Sequence, residues 1–288
     1  MGLISKKIMM LNWNLAREVG YPKFFYRYSI RQFYKRILKK DNRIKLNEGI
    51  LINLPPDSKF GTELFVKNGS VDWGSEEYFI RYLDKSKSFL DIGANIGYYS
   101  LLVSPYCDNV YAFEPDLRSI AALKKNAGKV DNITVIQEAV YSEVGEMQFD
   151  VSKLPELSGL NTKSEASSSC ISVKVNTLDN FADQHPNLKV TAIKTDVEGA
   201  DTEVLLGGKN LIEREQPLIL SEAFPDSRVL RFVRELDYLI FAFIKFKDKS
   251  KMHLKPKFIQ IKAYPQGYRP KMIFLVPKHL HQEFLQLV

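Results

Sequence analysis

From residue 88 onward, short apolar runs alternate with amphipathic stretches. Phe89, Leu90 and Ile92 fit a buried parallel strand, and the segment from Ile96 to Ser104 fits a helix. Asn109–Phe113 predicts a second strand, Leu117–Lys129 a second helix and Ile133–Gln137 a third strand. This β-α-β-α-β order implies a parallel sheet with right-handed crossovers. Residues 141–175 break the rhythm. Gly145–Val151 and Ile171–Val175 predict strands, and the Ser-rich stretch 158–169 between them is too long and polar for a tight turn. It reads as a surface loop or as a cover for a substrate. The alternation then resumes, with strands at Val190–Lys194 and Pro217–Leu220 and helices from Thr202 and across Ser227–Leu236. Tyr238–Phe246 and Lys271–Val276 predict a closing strand pair joined by a basic loop.

The chain before residue 85 reads differently. Tyr26, Ile30, Phe33, Tyr34, Ile37 and Leu38 recur at helical spacing within 22–40, with Arg27, Arg31, Lys35 and Lys39 as a basic stripe. That stripe is read either as a solvated face or as a surface for weak peripheral association with an anionic membrane. Gly49–Leu54 and Thr62–Val66 predict short strands around Pro55-Pro56, and Glu76–Leu83 predicts a helix. The expected division is an extension over 1–84 and an α/β domain over 85–288.

Charge sharpens this division. The net charge of +7 is uneven: residues 1–48 hold twelve Lys or Arg against three acids, and 245–278 hold ten against one. The middle of the chain is therefore acidic, which does not suit a uniformly basic nucleic-acid binder. Cys107 and Cys170 are the two cysteines and form no C-x-x-C. That usage predicts reduced thiols and a cytoplasmic enzyme. His279 and His281 have no metal-ligand spacing and are expected on a surface tail. No long apolar run follows Lys6 and Lys7, so neither a signal peptide nor a span is expected.

The candidate chemistry sits at the ends of the strands. A dinucleotide site wants G-x-G-x-x-G, but counting from Gly93 the required glycines are Asn95 and Tyr98. The observed Asp91-Ile92-Gly93-Ala94-Asn95-Ile96-Gly97 has instead the form D-x-G-x-N-x-G, which resembles motif I of the class I S-adenosylmethionine (SAM)-dependent methyltransferases. An acid there suits the ammonium and sulfonium end of SAM. Successive predicted strands end in Asp91, Glu114, Glu138, Asp196 with Glu198, and Glu222. Open α/β sheets bind ligands at this edge. Glu114 lies 23 residues after Asp91, close to the spacing of about 20 for a ribose-binding acid. Glu138, followed by Ala139, is placed to meet the adenine edge.

Four segments together resemble the FkbM methyltransferase family: Phe89–Gly97, Ala112-Phe113-Glu114-Pro115, Asn176-Thr177-Leu178-Asp179, and Ile193-Lys194-Thr195-Asp196-Val197-Glu198-Gly199-Ala200. The last is the most specific. Asp201 departs from the Glu often found there but keeps the charge. The resemblance implies a Rossmann-like class I methyltransferase sheet, mostly parallel with a C-terminal antiparallel pair, behind an N-terminal helical extension. It also implies SAM-dependent O-methylation of a hydroxyl on a sugar, glycan precursor or natural product. Asp91, Gly93, Asn95, Gly97, Glu114, Glu138 and Ala139 are then the cofactor-binding candidates, and Glu222 faces the acceptor.

A sugar hydroxyl is a poor nucleophile, so a carboxylate that accepts its proton helps. Asp196 is the first candidate base and Glu198 the second, with Lys194 tuning or orienting an acid. Asp196 is read alternatively as holding the methionine ammonium or capping a helix. Mg²⁺ held by two or three carboxylates is a further option. A nucleic-acid amino-methyltransferase would show N/D-P-P-[YF] where this chain has Asp196-Val197-Glu198-Gly199. A non-catalytic binding protein on the same fold is the remaining alternative.

Overall fold

The computed structural model describes residues 13–150, 159–160, 170–247 and 254–288 except 264. The chain begins with α1 (residues 13–19) and α2 (Tyr21–Phe33), continued by one π-helical turn over Tyr34–Leu38. A hairpin of β1 (Asn42–Lys45) and β2 (Leu51–Leu54) follows, then α3 (Phe60–Lys67) and α4 (Ser75–Arg81). The alternating region contains β3 (Ser88–Ile92), α5 (Tyr98–Val103), β4 (Val110–Phe113), α6 (Leu117–Ala127) and β5 (Ile133–Ile136). Next come β6 (Ala139–Val140), β7 (Gly145–Asp150), β8 (Gly159–Leu160), β9 (Cys170–Asn176) and α7 (Leu178–Gln184). The remainder is β10 (Val190–Thr195), α8 (Asp201–Leu206), α9 (Lys209–Glu215), β11 (Leu218–Ser221), α10 (Ser227–Glu235), β12 (Leu239–Phe246), β13 (Lys257–Ile261), β14 (Tyr268–Pro270), β15 (Ile273–Val276) and α11 (His281–Leu285).

The main sheet runs in the order β13-β12-β15-β11-β10-β3-β4-β5, with β14 paired to β12. β11, β10, β3, β4 and β5 are parallel. β15 inserts antiparallel between β11 and β12. Every residue of β3, β10 and β11 is buried, so these strands read as apolar runs rather than as alternation. The period of two still sorts the side chains. Leu90 and Ile193 join the cluster under α7–α10, while Phe89 and Ala192 join the one under α3, α4, α5 and α11. Asp116, Thr177 and Asp226 cap α6, α7 and α10 by accepting backbone N–H bonds.

Four expectations are corrected. Thr62–Val66 lies inside α3. Leu64, Phe65 and Val66 are consecutive and all buried, so this short apolar run is a buried helix segment rather than a strand. The basic loop of the closing pair contains β13 and β14, which extend the sheet beyond β12. His279 is exposed as expected, but the segment is anchored rather than a free tail, because Phe284 of α11 is fully buried against Phe241 and Phe274. Three of the four basic residues of the stripe, Arg27, Arg31 and Lys35, turn inward, while Lys39 stays exposed. Arg31 is fully buried and donates to Asn42 Oδ1 at 3.1 Å, Leu54 O at 2.9 Å and Pro55 O at 2.5 Å. Arg27 bonds Phe65 O and lies over the Phe65 ring, and Lys35 bonds Ser58 O. The carbonyls of Leu54, Pro55 and Ser58, between β2 and α3, thereby gain charged donors from the long basic side chains.

The extension and the α/β region share one core: Ile52, Leu54, Leu64 and Phe79 cluster with Phe89, Tyr99 and Leu220. Most of the Ser-rich stretch 158–169 lies outside the described residues; Gly159–Leu160 pairs with Phe149 and Asp150.

Candidate active site

The strand ends are held in step by bonds that continue the ladder. Glu114 N–H donates to Ile136 O, Asp196 N–H to Ile92 O, and Glu222 N–H to Thr195 O. Each carboxylate is thereby fixed at the same edge. Here they line one cavity of about 380 Å³, with Asp91, Gly93, Asn95, Glu114, Glu138, Ala139, Lys194, Asp196, Glu198 and Glu222 all on its wall. Of the sequence candidates only Gly97 is not brought to it.

The two turn glycines serve packing. Gly93 has φ +76°, and a Cβ there would sit 2.1 Å from the Asp196 carbonyl oxygen. Gly97 has φ +86°, and its Cβ would meet Leu123 Cδ1 at 2.7 Å. Both positions therefore demand glycine, but protein rather than ligand occupies the space.

Glu114 is nearly enclosed. Its Oε2 accepts from the Asn95 N–H at 2.8 Å and its Oε1 from the Asp116 N–H at 2.9 Å. Burial pushes the carboxyl up to about 7 despite these two donors. Each oxygen keeps a second lone pair, so the group can still accept from a vicinal diol.

Asp91 is fully buried. Ser100 donates to its Oδ2 at 2.5 Å, while Oδ1 has no hydrogen-bond partner. Lys194 Nζ stands 3.8 Å from that oxygen, 3.5 Å from Asp196 Oδ2 and 3.0 Å from Gly93 O. Burial raises the Asp91 carboxyl above its ordinary value, and Lys194 offsets part of that rise. Lys194 itself is raised, because Asp196 and Asp91 outweigh its desolvation.

Asp196 is 40% exposed. Its desolvation is overcome by Lys194 and by the hydrogen bond with Glu222, so it is held below the usual carboxylate range. Glu222 shifts upward, through desolvation first and then Asp196. The two carboxyls titrate as a pair, Asp196 shifted down and Glu222 up. Asp201 is also pushed up, to about 6, by burial and by Asp196. Glu198 has φ +49° and packs against Gly159. Glu138 accepts from Asn176 Nδ2 at 3.1 Å.

The rest of the cavity wall was missed by sequence reasoning. Lys59, Phe60, Glu63 and Asp72 come from the extension, Lys271 and Met272 from before β15, and Phe149 and Gly159 from the small sheet β6-β9-β7-β8. Lys271 bridges Asp72 at 2.9 Å and Glu63 at 3.6 Å. Asp72 accepts from Tyr99 Oη at 2.5 Å. Tyr98 and Tyr99 directly follow the glycine turn, which was the one local signal available. Among the described residues, no three His, Cys, Asp or Glu side chains are grouped to hold a metal ion.

Residues 91–240 match the methyltransferase FkbM domain. The hexuronic acid methyltransferase AglP of Haloferax volcanii is 24% identical over 166 residues, which is 52% of this chain and 68% of that protein. The 2-O-methyltransferase NoeI of Sinorhizobium fredii is 27% identical over 188 residues, covering 59% of this chain and 76% of that protein. The crystal structure of methyltransferase FkbM from Methylobacillus flagellatus aligns with a TM-score of 0.42 at 13% identity, over 76% of this chain and 55% of that one. The domain match takes in more than half of the chain and includes every one of the strand-end carboxylates from Asp91 to Glu222: the protein is a methyltransferase and belongs to the FkbM family.

Proposed function

We propose that this chain is a SAM-dependent O-methyltransferase that acts on a sugar hydroxyl. The observation that carries the reading is the gathering of the carboxylates from five successive parallel strands around one cavity. The sugar acceptor is supported by AglP and NoeI, whose names specify a hexuronic acid and a 2-O position.

The residues present fit the cofactor. Glu114 keeps lone pairs for a ribose diol, and Asp91 Oδ1, which has no hydrogen-bond partner, can accept from an ammonium. Glu138 and Ala139 also line the cavity, and we assign them to the adenine end. SAM, when bound, supplies a methyl group already activated by the sulfonium. The chain's own work is then to align an acceptor oxygen and to exclude water. Asp196 is ionised and open to the cavity, so it can orient the acceptor hydroxyl and accept its proton at a carboxylate oxygen. Its lowered proton affinity makes it a weak base, and orientation is the larger part of its contribution. Lys194 holds Asp196 and Asp91 apart as a shared counter-charge, and Glu222 fixes Asp196 from the other side. Glu198 closes the wall next to Gly159.

The acceptor half of the cavity falls to Lys59, Phe60, Glu63, Asp72 and Lys271. We assign acceptor choice to these residues, and hence largely to the 1–84 segment. Donor-rich and acceptor-rich side chains side by side suit a polyhydroxylated ligand. The test is calorimetry with SAM, S-adenosylhomocysteine and NAD, followed by transfer of a labelled methyl group to uronic acids and neutral hexoses. Binding of SAM with transfer to a sugar oxygen is expected. Binding of NAD alone, or transfer to nitrogen only, overturns the reading.

A further inference from the structure

The inward turn of the basic stripe leaves the opposite side of α2 uncovered. Tyr26 is 70% exposed, Ile37 68%, Phe25 52%, Phe33 50% and Leu38 39%. At about 100° per residue, Tyr26, Phe33 and Ile37 fall on one row. Trp13 and Tyr21, edge to face at 6.3 Å, extend the apolar surface along α1. Exposed Arg17, Lys23, Arg36, Lys39 and Lys40 border it. The acids nearby are engaged elsewhere: Glu18 pairs with Lys67 and Lys245, and Asp41 with Lys125. A surface of aromatic and aliphatic side chains, fringed by cations and without a free carboxylate, matches the interface of an anionic bilayer. It does not match a second copy of itself, since two such faces would bring their cations together. The preceding sequence, residues 1–12, continues the composition with Leu3, Ile4, Ile8, Met9, Met10 and Leu11, Lys6 and Lys7, and no acid.

We propose that the exposed face of α1, α2 and its π-helical turn docks this enzyme on anionic lipid. The inward basic residues serve the docking indirectly. Arg27, Arg31 and Lys35 tie α2 to α3 and the residues just before it. Lys59, Phe60 and Glu63, at the start of α3, line the cavity. The docked face and the acceptor half of the site are thus one rigid piece, and the cavity has a fixed orientation to the lipid surface. The inference is independent of which acceptor is used.

The test is flotation of the full chain with phosphatidylcholine vesicles, with and without phosphatidylglycerol, at low and moderate salt. The protein is expected to float with the anionic vesicles and to be released by salt. Replacing Arg36, Lys39 and Lys40 by Gln should weaken binding about fivefold per residue, on the order of a hundredfold together. The triple substitution Tyr26→Gln, Phe33→Gln, Ile37→Gln should abolish binding while leaving SAM affinity unchanged, because these side chains are exposed and remote from the cavity. No flotation at low salt overturns the proposal, as does flotation that survives the apolar triple variant. A dimer in sedimentation that this variant dissociates, without vesicle binding by the wild type, would assign the face to a second copy instead.

Discussion

Glu114 makes the sharpest prediction. Its carboxyl is buried, accepts two backbone N–H bonds and is raised to about 7. If it receives a ribose diol, it must do so as a carboxylate. Binding of S-adenosylhomocysteine, which is chemically stable and carries the same ribose, should therefore weaken as pH falls below about 7, by about tenfold per unit in the limit. Above that pH the dependence on this group should vanish. Hydrogen bonds to a charged group contribute about 1.5–3 kcal/mol, so Glu114→Ala should cost roughly ten- to a hundredfold in affinity just above neutrality. At pH 5 variant and wild type should converge. The free protein gives a second reading. A folded value above the unfolded one means that this group's contribution to stability is fully present below about pH 4.5 and is lost as pH rises through 7. The loss is about 3 kcal/mol. Glu114→Ala should remove that part of the slope, although it also leaves the Asn95 and Asp116 N–H groups without their acceptor. Isothermal calorimetry across pH 5–8, with urea unfolding in parallel, measures both. Asp91 and Asp201 are also shifted upward, so the decisive quantity is the difference between the proteins. Equal affinities just above neutrality in a folded variant, or an identical pH slope in both proteins, would refute the ribose assignment.

Asp196→Asn is expected to lower turnover by about 10²–10⁴ with SAM affinity nearly intact; loss of SAM affinity as well, seen by calorimetry, would move Asp196 to the ammonium. Gly93→Ala should destabilise the fold by about 3 kcal/mol or more in urea unfolding, because the new Cβ strikes the Asp196 carbonyl and φ is positive. Arg31→Met should cost about 3 kcal/mol or more by the same measurement, since it removes the charged donor to Asn42 Oδ1 and to the Leu54 and Pro55 carbonyls, the last keeping only the Ser58 N–H; a change below 1 kcal/mol would show that water replaces the guanidinium.

The parallel sheet was legible because its signals are local. Apolar runs of four to six residues, each closed by an acid, marked β3, β4, β5, β10 and β11, and the topology of such sheets places those acids together without further information. The orientation of α2 was not legible. Its arginines and its aromatics recur with the same helical period, so periodicity defines two faces without saying which is buried. What decides is the set of carbonyls at Leu54, Pro55 and Ser58, more than twenty residues away, for which Arg31 and Lys35 are the donors. The same nonlocality hid Asp72 and Lys271, which meet across 199 residues of chain.

These long-range pairs bear on how the enzyme divides its work. The cofactor half of the cavity is built from consecutive strand ends, and its geometry is set by the ladder and by the two glycine contacts at Asp196 and Leu123. The acceptor half is built from the extension and from Lys271. The two halves meet at few points. Asn126 of α6 donates to Asn53 O in β2 and to Ile96 O in the glycine turn, tying the hairpin to the cofactor loop. Tyr99, one turn later, reaches Asp72, and its ring faces Lys194 at 5.6 Å. Phe60 packs edge to face on Tyr98, and Glu63 reaches the Tyr99 link only through Lys271 and Asp72, so substitutions there should alter acceptor preference more than the cofactor pocket. Substitutions at Asn126 or Tyr99 disturb both halves at once. A KM effect larger for the acceptor than for SAM at Phe60 or Glu63, against a joint loss of SAM affinity and turnover at Asn126 or Tyr99, is expected from this connectivity.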